Sequence, residues 1–306
     1  MSARVALIFP GQGSQHIGML ADLVMLEGSD RLIDAAEALS DLPLRHIADA
    51  GTPEQLADTR AAQPLLYLAD WAAASRALAV GITPSALAGH SLGELAALAV
   101  AGVYSVEAGL ELVIERARFM AATAAETPGG MAAVLGLEAS AIRSALDGIE
   151  GIWIANDNSP GQTVISGTPQ GLGAATTALN EAGARRIVPL AVAGPFHSPL
   201  MQPAADRFVD LVAATAFNDA AIAVLQNTDP APVTDAATIR RRLSSQIVSP
   251  VRWTETMDRL RGAGVSMLLE CGPGAVLTGL AKRVEGLEAF AIEQTDIEAF
   301  RTEANE

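Results

Sequence analysis

Residues 84–100 read PSALAGHSLGELAALAV, and this stretch decides the fold. The aliphatic run PSALAG predicts a buried strand, and the run that follows Ser91 has the composition of a helix. Between them, Gly89-His90-Ser91-Leu92-Gly93 is a G-x-S-x-G sequence, which in a strand–turn–helix context indicates a nucleophile elbow. The alternative is an ordinary turn in which the serine caps the helix. The flanking strand and helix favour the elbow, with Ser91 as the nucleophile.

Strands and helices alternate on both sides of this turn. RVALIFP (4–10) predicts another buried strand, and SVEAGLELVIERARFMAATAAE (105–126) carries apolar residues at alternating steps of four and three. That spacing is typical of a helix with one buried face. The alternation predicts an α/β fold: an α/β-hydrolase-like large domain with a mostly parallel sheet, formed by residues 1–126 and 197–306.

The pattern changes between Gly129 and Ala193. The predicted order there is strand, helix, strand, strand, helix, strand, with the last strand at 185–193. This is the order of the split βαβ unit, so we predict an inserted ferredoxin-like α+β small domain at residues 127–196. A ligand is expected in the cleft between the two domains.

Beyond the insert, the α/β alternation is expected to resume. The sequence predicts a strand at 221–227, a helix near 237–248 and a closing helix near 275–283. No internal repeat and no low-complexity linker interrupts the pattern.

Composition excludes several classes of protein. Half of the 306 residues are hydrophobic, so the chain can bury a core. Twenty basic against thirty-five acidic residues give a net charge of −15, which disfavours nucleic acid and anionic membranes as partners. The single cysteine, Cys271, excludes an internal disulfide, and the absence of a His-x-x-x-His pair argues against a metal site. We expect no secretion signal and no bilayer span, and therefore a cytoplasmic location.

A serine nucleophile needs a base, and the chain offers four histidines. His90 adjoins Ser91 on a tight turn, His46 lies in a helix-like run and His16 follows a glycine-rich loop. His197 lies where the inserted domain returns to the large one, so it can face the cleft and is the predicted base. No acid occupies a position that marks it as a third triad member. We therefore predict a dyad whose Nδ1–H is held by a backbone carbonyl.

Two further features are candidates for the same site. The loop PGQGSQ (10–15) follows the first strand and can bring backbone N–H groups or a side-chain amide over the site, although an isolated loop of this kind is usually a surface turn. It lacks the spacing of a phosphate-binding loop. Arg116 lies near the apolar stripe of its helix, where a charge needs a partner. Either it pairs with an internal carboxylate, the commoner arrangement, or it binds an anionic ligand.

Taken together, these segments resemble the malonyl-CoA:acyl carrier protein transacylase family, the acyltransferases of fatty-acid synthesis that also occur as polyketide synthase domains. The resemblance covers nearly the whole chain, and its specificity lies in the order and spacing of the pieces. The matching segments are FPGQGSQ (9–15), DTRAAQPLL (58–66), AGHSLGELAAL (88–98), ERARFM (115–120), GGMAAVLGL (129–137), NDNSPGQTVISG (156–167), GPFHSPLM (194–201), SPVRW (249–253) and ECGPGAVLTGLAKR (270–283).

The resemblance implies a role for each matching position. Ser91 would become malonylated, and His197 would be its general base. Gln12 and the backbone N–H of Leu92 would form the oxyanion hole. Arg116 lies 25 residues after the serine, as in the family pattern, and would bind the malonyl carboxylate.

Three further implications concern orientation, specificity and docking. The carbonyl of Ser249 would orient His197, at a position where the family often has Asn. Phe196 is similar to the versions that accept malonyl rather than methylmalonyl groups. An acidic carrier protein would need a local basic surface on this acidic chain, or these residues form only a solvated basic face. The candidates are Arg185, Arg186, Lys282 and Arg283.

The implied activity is that of an S-malonyltransferase. A malonyl group would move from malonyl-CoA, through an acyl-serine, to the phosphopantetheine thiol of an acyl carrier protein. A close alternative is a transferase that serves a polyketide synthase or a malonate decarboxylase. Alternatives of other classes are a serine esterase and a non-catalytic interaction module. No metal or redox cofactor is implied, because CoA enters as part of a substrate.

Overall fold

The structure, a computed structural model, describes residues 3–305. Its strands form two five-stranded sheets. The strands are β1 (Arg4–Phe9), β2 (Ala86–Gly89), β3 (Gly130–Leu135), β4 (Ile152–Ser159), β5 (Gln162–Gly167), β6 (Arg186–Pro189), β7 (Val224–Leu225), β8 (Val251–Arg252), β9 (Val265–Glu270) and β10 (Glu288–Ala291).

The helices cover the faces of the sheets. Within the described residues, no helix is long and apolar enough to cross a membrane. The helices are α1 (Ala21–Val24), α2 (Asp30–Ser40), α3 (Leu44–Ala50), α4 (Pro53–Ala57), α5 (Thr59–Ala79), α6 (Gly93–Val100), α7 (Val106–Glu126), α8 (Ala139–Ala145), α9 (Pro169–Glu181), α10 (Gln202–Ala214), α11 (Ala236–Ser244), α12 (Trp253–Gly262), α13 (Val276–Ala281) and α14 (Ile297–Asn305).

The first sheet is parallel throughout, in the order β10-β9-β1-β2-β7. Strand β1 is buried from Val5 to Phe9, and all four residues of β2 are buried. Strands with helices on both faces read as continuous apolar runs, which explains why both were visible in the sequence. The prediction of an α/β fold with a mostly parallel sheet is confirmed.

Helix α7 places one long apolar face against α5. Its N-cap, Ser105, accepts a hydrogen bond from the N–H of Ala108, which satisfies a donor that the first turn leaves free. Leu110, Val113 and Ala117 are buried on its inner face. Burial contributes about 1.5–3 kcal/mol for each large aliphatic side chain, so the helix is held firmly along the site.

The second sheet has the order β6-β3-β5-β4-β8. Its first four strands pair antiparallel, while β8 joins β4 in parallel. Helices α8 and α9 pack on this sheet through Ile142, Ala175 and Leu179. Strand β8 comes from outside residues 127–196, so the second sheet extends into the chain that follows the insert.

Several predicted element boundaries were wrong. The strand predicted at 185–193 ends at Pro189, and the strand predicted at 221–227 is only two residues long. The helix near 237–248 ends at Ser244 and gives way to a 3₁₀ turn. The helix near 275–283 does not close the fold, because β10 and α14 follow it. Edge strands this short contain too few residues for a period to be visible.

Candidate active site

Ser91 lies at the sharp turn between β2 and α6, with a φ of +51°. A Cβ on Gly89 would lie 2.0 Å from the carbonyl carbon of Gly93, and one on Gly93 would lie 2.2 Å from the carbonyl oxygen of Phe9. Strand and helix therefore approach too closely for any side chain at these two positions. Ser91 does not cap α6, since the N-cap position is Leu92 and makes no side-chain hydrogen bond. The turn holds a strained serine whose Oγ points outward.

His197 lies directly beside this hydroxyl. Its Nε2 is 2.7 Å from Ser91 Oγ, and its Nδ1 lies 3.0 Å from the carbonyl oxygen of Ser249 and 3.2 Å from that of Gln246. Carbonyl oxygens only accept, so Nδ1 carries the proton and the lone pair of Nε2 faces the hydroxyl. Burial, helped by the positive charge of Arg116, lowers the pKa of His197 to about 3. The imidazole is therefore neutral and able to take a proton at physiological pH.

Arg116 reaches the same hydroxyl from α7 and is only 1% exposed. Its guanidinium donates to Oε1 of Gln63 at 2.7 Å, to Oε1 of Gln246 at 2.9 Å and to Ser91 Oγ at 3.3 Å. No carboxylate oxygen in residues 3–305 lies within 4.0 Å of it, which argues against the internal ion pair. Burial lowers the pKa of Arg116 to about 10, so the group stays charged at neutral pH. The site thus holds a buried positive charge with neutral hydrogen-bond partners.

The other three histidines lie away from Ser91 Oγ. His90 Nε2 lies 2.8 Å from Asn158 Oδ1, and its ring packs edge-on against Trp253. His16 contacts Glu293, and His46 is exposed on α3. Of the four, the structure brings only His197 to the nucleophile.

The loop after β1 passes directly over the elbow. A Cβ on Gly11 would lie 2.5 Å from the carbonyl oxygen of His90, so the loop can sit this close only without a side chain there. The amide of Gln12 is turned away, donating to Ala57 and accepting from Thr59. Across residues 3–305, no acceptor is bonded to the backbone N–H of Gln12 or of Leu92, and both residues line the cavity at Ser91. Their N–H groups are thus available to a ligand oxygen.

A cavity of about 180 Å³ lies between the two sheets. The elbow and Arg116 line one side, β3, β4 and β5 line the other, and Phe196 is part of the wall. Val276, Leu277 and Leu280 of α13 complete it. A ligand in this cavity would contact residues of both sheets, and its position there stays a prediction.

The four basic candidates lie outside the cavity and are exposed. Arg186 pairs across β3 at Leu135, whose other neighbour is Gln162 in the cavity wall. Arg283 donates to Oγ of Ser159 at 3.3 Å. The pairs Arg185–Arg186 and Lys282–Arg283 therefore lie on opposite sides of the β4–β5 hairpin.

Sequence reasoning missed four buried polar residues around the elbow. Gln63 and Gln246 hold Arg116, Asn227 holds the backbone of the turn, and Glu94 accepts a hydrogen bond from the backbone N–H of Asn227. A signal existed for two of them, because Gln63 and Glu94 interrupt otherwise apolar helical runs. No such signal marks Asn227 or Gln246, since the partners of their side chains are more than a hundred residues away.

Comparisons with known proteins show the family of this chain. A sequence model of the family described as acyl transferase domain matches residues 6–294. The malonyl CoA-acyl carrier protein transacylase of Bacillus subtilis (strain 168) is 40% identical over 92% of this chain and 90% of its own length. The protein of that name from Escherichia coli (strain K12) is 39% identical over 94% of this chain and 96% of its own.

Two solved structures have the same fold over nearly their full length. The transacylase of Coxiella burnetii superposes with a TM-score of 0.93 at 34% identity, covering 100% of this chain and 99% of that one. A malonyl-transacylase solved in complex with its type II polyketide synthase acyl carrier protein superposes with a TM-score of 0.92 at 38% identity, covering 99% and 100%.

Proposed function

Since this chain belongs to the acyl transferase domain family, we propose that it transfers a malonyl group from malonyl-CoA to the phosphopantetheine thiol of an acyl carrier protein. The relatives named above are malonyl transacylases at 34–40% identity. The transfer proceeds through an acyl-serine at Ser91 and uses no metal or redox cofactor.

The position of the Arg116 guanidinium beside Ser91 is the main support for this proposal. A malonyl ester on Ser91 ends in a free carboxylate, and a guanidinium 3.3 Å from Oγ lies within reach of it. Guanidinium and carboxylate form paired, charge-assisted hydrogen bonds. A neutral acyl group would leave the buried charge unpaired, so the site selects diacids.

The chemistry has two symmetrical halves. Ser91 Oγ attacks the thioester carbonyl as Nε2 of His197 takes the hydroxyl proton, and the N–H groups of Gln12 and Leu92 hold the developing oxyanion. The C–S bond then breaks, and the imidazolium returns the proton to the sulfur, so that CoA leaves as a thiol. The phosphopantetheine thiol next gives its proton to His197 and attacks the acyl-serine. Collapse returns that proton to Ser91.

Two residues refine this mechanism. The carbonyl of Ser249, 3.0 Å from Nδ1 of His197, orients the imidazole, and a backbone contact does not depend on the Ser side chain. Phe196 is buried in the cavity wall, where its ring limits the space for a branch on the acyl group. We assign it a role in favouring malonyl over methylmalonyl.

The carrier protein is proposed to dock at the cavity mouth. Carrier proteins of this family are acidic, and the chain itself carries a net charge of −15, so contact requires a local basic surface. The two exposed pairs Arg185–Arg186 and Lys282–Arg283, on either side of the β4–β5 hairpin, provide it.

We also propose a division of the chain into two domains. We assign residues 1–126 and 197–306 to an α/β-hydrolase-like large domain, supported by the elbow at the end of a parallel strand. We assign residues 127–196 to a ferredoxin-like small domain, supported by the strand order β6-β3-β5-β4. A cytoplasmic location fits the single, buried cysteine.

A polyketide carrier is a second candidate acceptor. The observation in its favour is the solved complex of a 38% identical malonyl-transacylase with a type II polyketide carrier protein. A serine esterase would use the same dyad but has no use for Arg116.

The test is a transfer assay with malonyl-CoA and purified carrier proteins of fatty-acid and polyketide type, each with and without phosphopantetheine. We expect malonyl only on a carrier that bears phosphopantetheine. The carrier that is malonylated at the higher rate is the acceptor. Rapid hydrolysis of neutral esters, with no malonyl on either carrier, would establish the esterase instead.

A further inference from the structure

Two side-chain amides from the distant C-terminal half hold the backbone of Ser91. Asn227 Oδ1 accepts from the N–H of Ser91 at 2.7 Å, and Gln246 Nε2 donates to its carbonyl oxygen at 2.9 Å. With a φ of +51°, Ser91 has a conformation that a residue with a side chain adopts only under constraint from its surroundings. These contacts supply such a constraint.

The side-chain amide of Asn227 binds two backbone groups where β2 enters the turn. Besides accepting from Ser91, its Nδ2 donates to the carbonyl oxygen of Gly89 at 2.6 Å, and the residue is 1% exposed. One planar amide thus fixes the end of β2 and the start of the elbow relative to each other. The contact needs an acceptor and a donor on the same group, which a carboxylate lacks.

Asn227 is itself fixed to the helix that follows Ser91. Its backbone N–H donates to Glu94 Oε2 at 2.7 Å, and Gln226 Nε2 donates to Glu94 Oε1 at 3.1 Å. The N–H of Arg252 donates to the carbonyl oxygen of Asn227 at 3.2 Å. Strand end, elbow and helix α6 are therefore joined through one buried residue.

We propose that Asn227 is a positioning residue for acyl transfer: it holds Ser91 in the left-handed conformation in which Oγ meets His197 and the N–H of Leu92 faces the cavity. Glu94 anchors Asn227 in turn. This inference rests on the proposed function, because it assigns the role through Ser91 acylation. Asn227 acts through the nucleophile and does not touch the substrate.

The substitution Asn227→Asp gives the sharpest test. An ionised aspartate still accepts from Ser91 but cannot donate to Gly89, whereas a protonated one does both. The ionisable groups around position 227 are Glu94 on α6, His90 in the elbow, Arg116 on α7 and Arg252 on β8, with His197 across the nucleophile. Burial beside the Glu94 carboxyl favours the neutral form of the new acid, so acidic buffer restores both hydrogen bonds.

The measurement is CoA release in the first turnover of malonyl-CoA, from pH 5.5 to 8.5, with wild-type protein in parallel. At pH 8 we expect an acylation rate constant about 100-fold below wild type, because a small misplacement of a nucleophile has effects of that size. The ratio of variant to wild type should rise at least about tenfold by pH 5.5, while the KM for malonyl-CoA stays within about twofold. Asn227→Ala should show the same loss without recovery in acid.

Gln226→Ala is the matched control, since it removes an amide from the same buried network without touching Ser91. Thermal unfolding of each variant separates lost stability from lost positioning. A variant-to-wild-type ratio that does not change with pH, a loss confined to KM, a wild-type acylation rate constant in Asn227→Ala, or an equal loss of that rate constant in Gln226→Ala would each overturn the inference. Absence of acyl-serine in the wild type would instead refute the proposed function.

Discussion

Two buried ionisable groups, Arg116 on α7 and Asp70 on α5, have opposite surroundings. Arg116 is 1% exposed, and its two terminal nitrogens are hydrogen-bonded to the neutral oxygens of Gln63, Gln246 and Ser91. Asp70 on α5 is 0% exposed, and neither of its carboxyl oxygens has a partner in the structure. Its Oδ1 faces Gly272, where a Cβ would lie only 2.1 Å away.

The difference shows how burial can either preserve or remove a charge. Burial, with a contribution from Glu270, raises the pKa of Asp70 well above its usual range, which favours the neutral form of that side chain. Hydrogen bonds to neutral groups let Arg116 remain charged without cancelling its charge. Burial shifts the pKa of both groups, but only Arg116 presents a charge to the cavity. A perturbed ionisable group marks a functional site when its hydrogen bonds leave its charge available.

Of all the predicted changes, removal of Ser91 or His197, next to Arg116, should lower malonyl transfer most. We expect Ser91→Ala or His197→Ala to lower the malonyl transfer rate by at least about 10⁴-fold, as for nucleophile and base in serine enzymes. The two losses should not add in the double variant, because the residues act as a unit. A steady-state transfer assay with unfolding controls measures this, and substantial activity in His197→Ala would exclude it as the base.

Replacing Arg116 should change substrate choice rather than abolish acylation. For Arg116→Ala we expect a loss of about 100- to 1000-fold in kcat/KM for malonyl-CoA, because the carboxylate loses its charged partner. Acetyl-CoA should lose far less or improve. Arg116→Lys keeps the charge but lacks the planar fork, so it should recover only part of the malonyl activity. Equal losses with both donors would assign Arg116 to stability alone.

Asp70→Asn should affect the stability of the folded protein and the pH dependence of that stability. Folding raises the pKa of Asp70, so its contribution to stability is greatest in acid and falls as pH rises through the folded-state pKa. Asparagine removes this titration. The variant should therefore gain stability relative to wild type as pH rises. We expect the difference in free energy of unfolding, variant minus wild type, to be at least about 1 kcal/mol larger at pH 8 than at pH 5.

Denaturant unfolding at the two pH values measures that difference, with Asp210→Asn on the exposed face of α10 as the control. A pH-independent difference would mean that Asp70 is ionised in the folded protein. Malonyl transfer should be nearly unchanged, because Asp70 lies outside the cavity.

The smallest expected effect is on the pH dependence of wild-type acylation. The active form of His197 is neutral, and its pKa is lowered to about 3, so the base stays available as pH falls. The acylation rate constant should change less than about twofold between pH 8 and pH 5.5. Single-turnover CoA release measures it. A sigmoidal decline centred near pH 6.5 would show that the imidazole is solvated and not held as described.

The same two regions show what the sequence could predict. The elbow was visible because Gly89, Ser91 and Gly93 lie within five residues, and local sterics alone dictate that spacing. Helix α7 was visible because its apolar period runs over 21 residues. By contrast, β10 was missed because a four-residue half-buried edge strand has no period of its own. Helix α14, which follows it, was missed as well.

Long-range hydrogen bonds were the part that sequence reasoning could not reach. The sequence did not decide whether Arg116 pairs with an internal carboxylate or binds an anionic ligand. Its surroundings come from α5 and from a 3₁₀ turn 130 residues downstream. The lack of hydrogen bonds to the Asp70 carboxyl group could not be predicted either, since the surroundings of Asp70 depend on how Gly272 and Pro10 pack. Motif order placed the dyad and Arg116, but only the folded chain gave the residues that hold them in place.

The most direct test of the central claim is to locate the acyl group after incubation with malonyl-CoA in the absence of any carrier protein. Peptide mass spectrometry of the rapidly quenched, digested protein should find malonyl on the peptide containing Ser91, and adding a phosphopantetheine-bearing carrier before quenching should remove it. A folded protein that carries no malonyl, or carries it on another residue, would contradict the account.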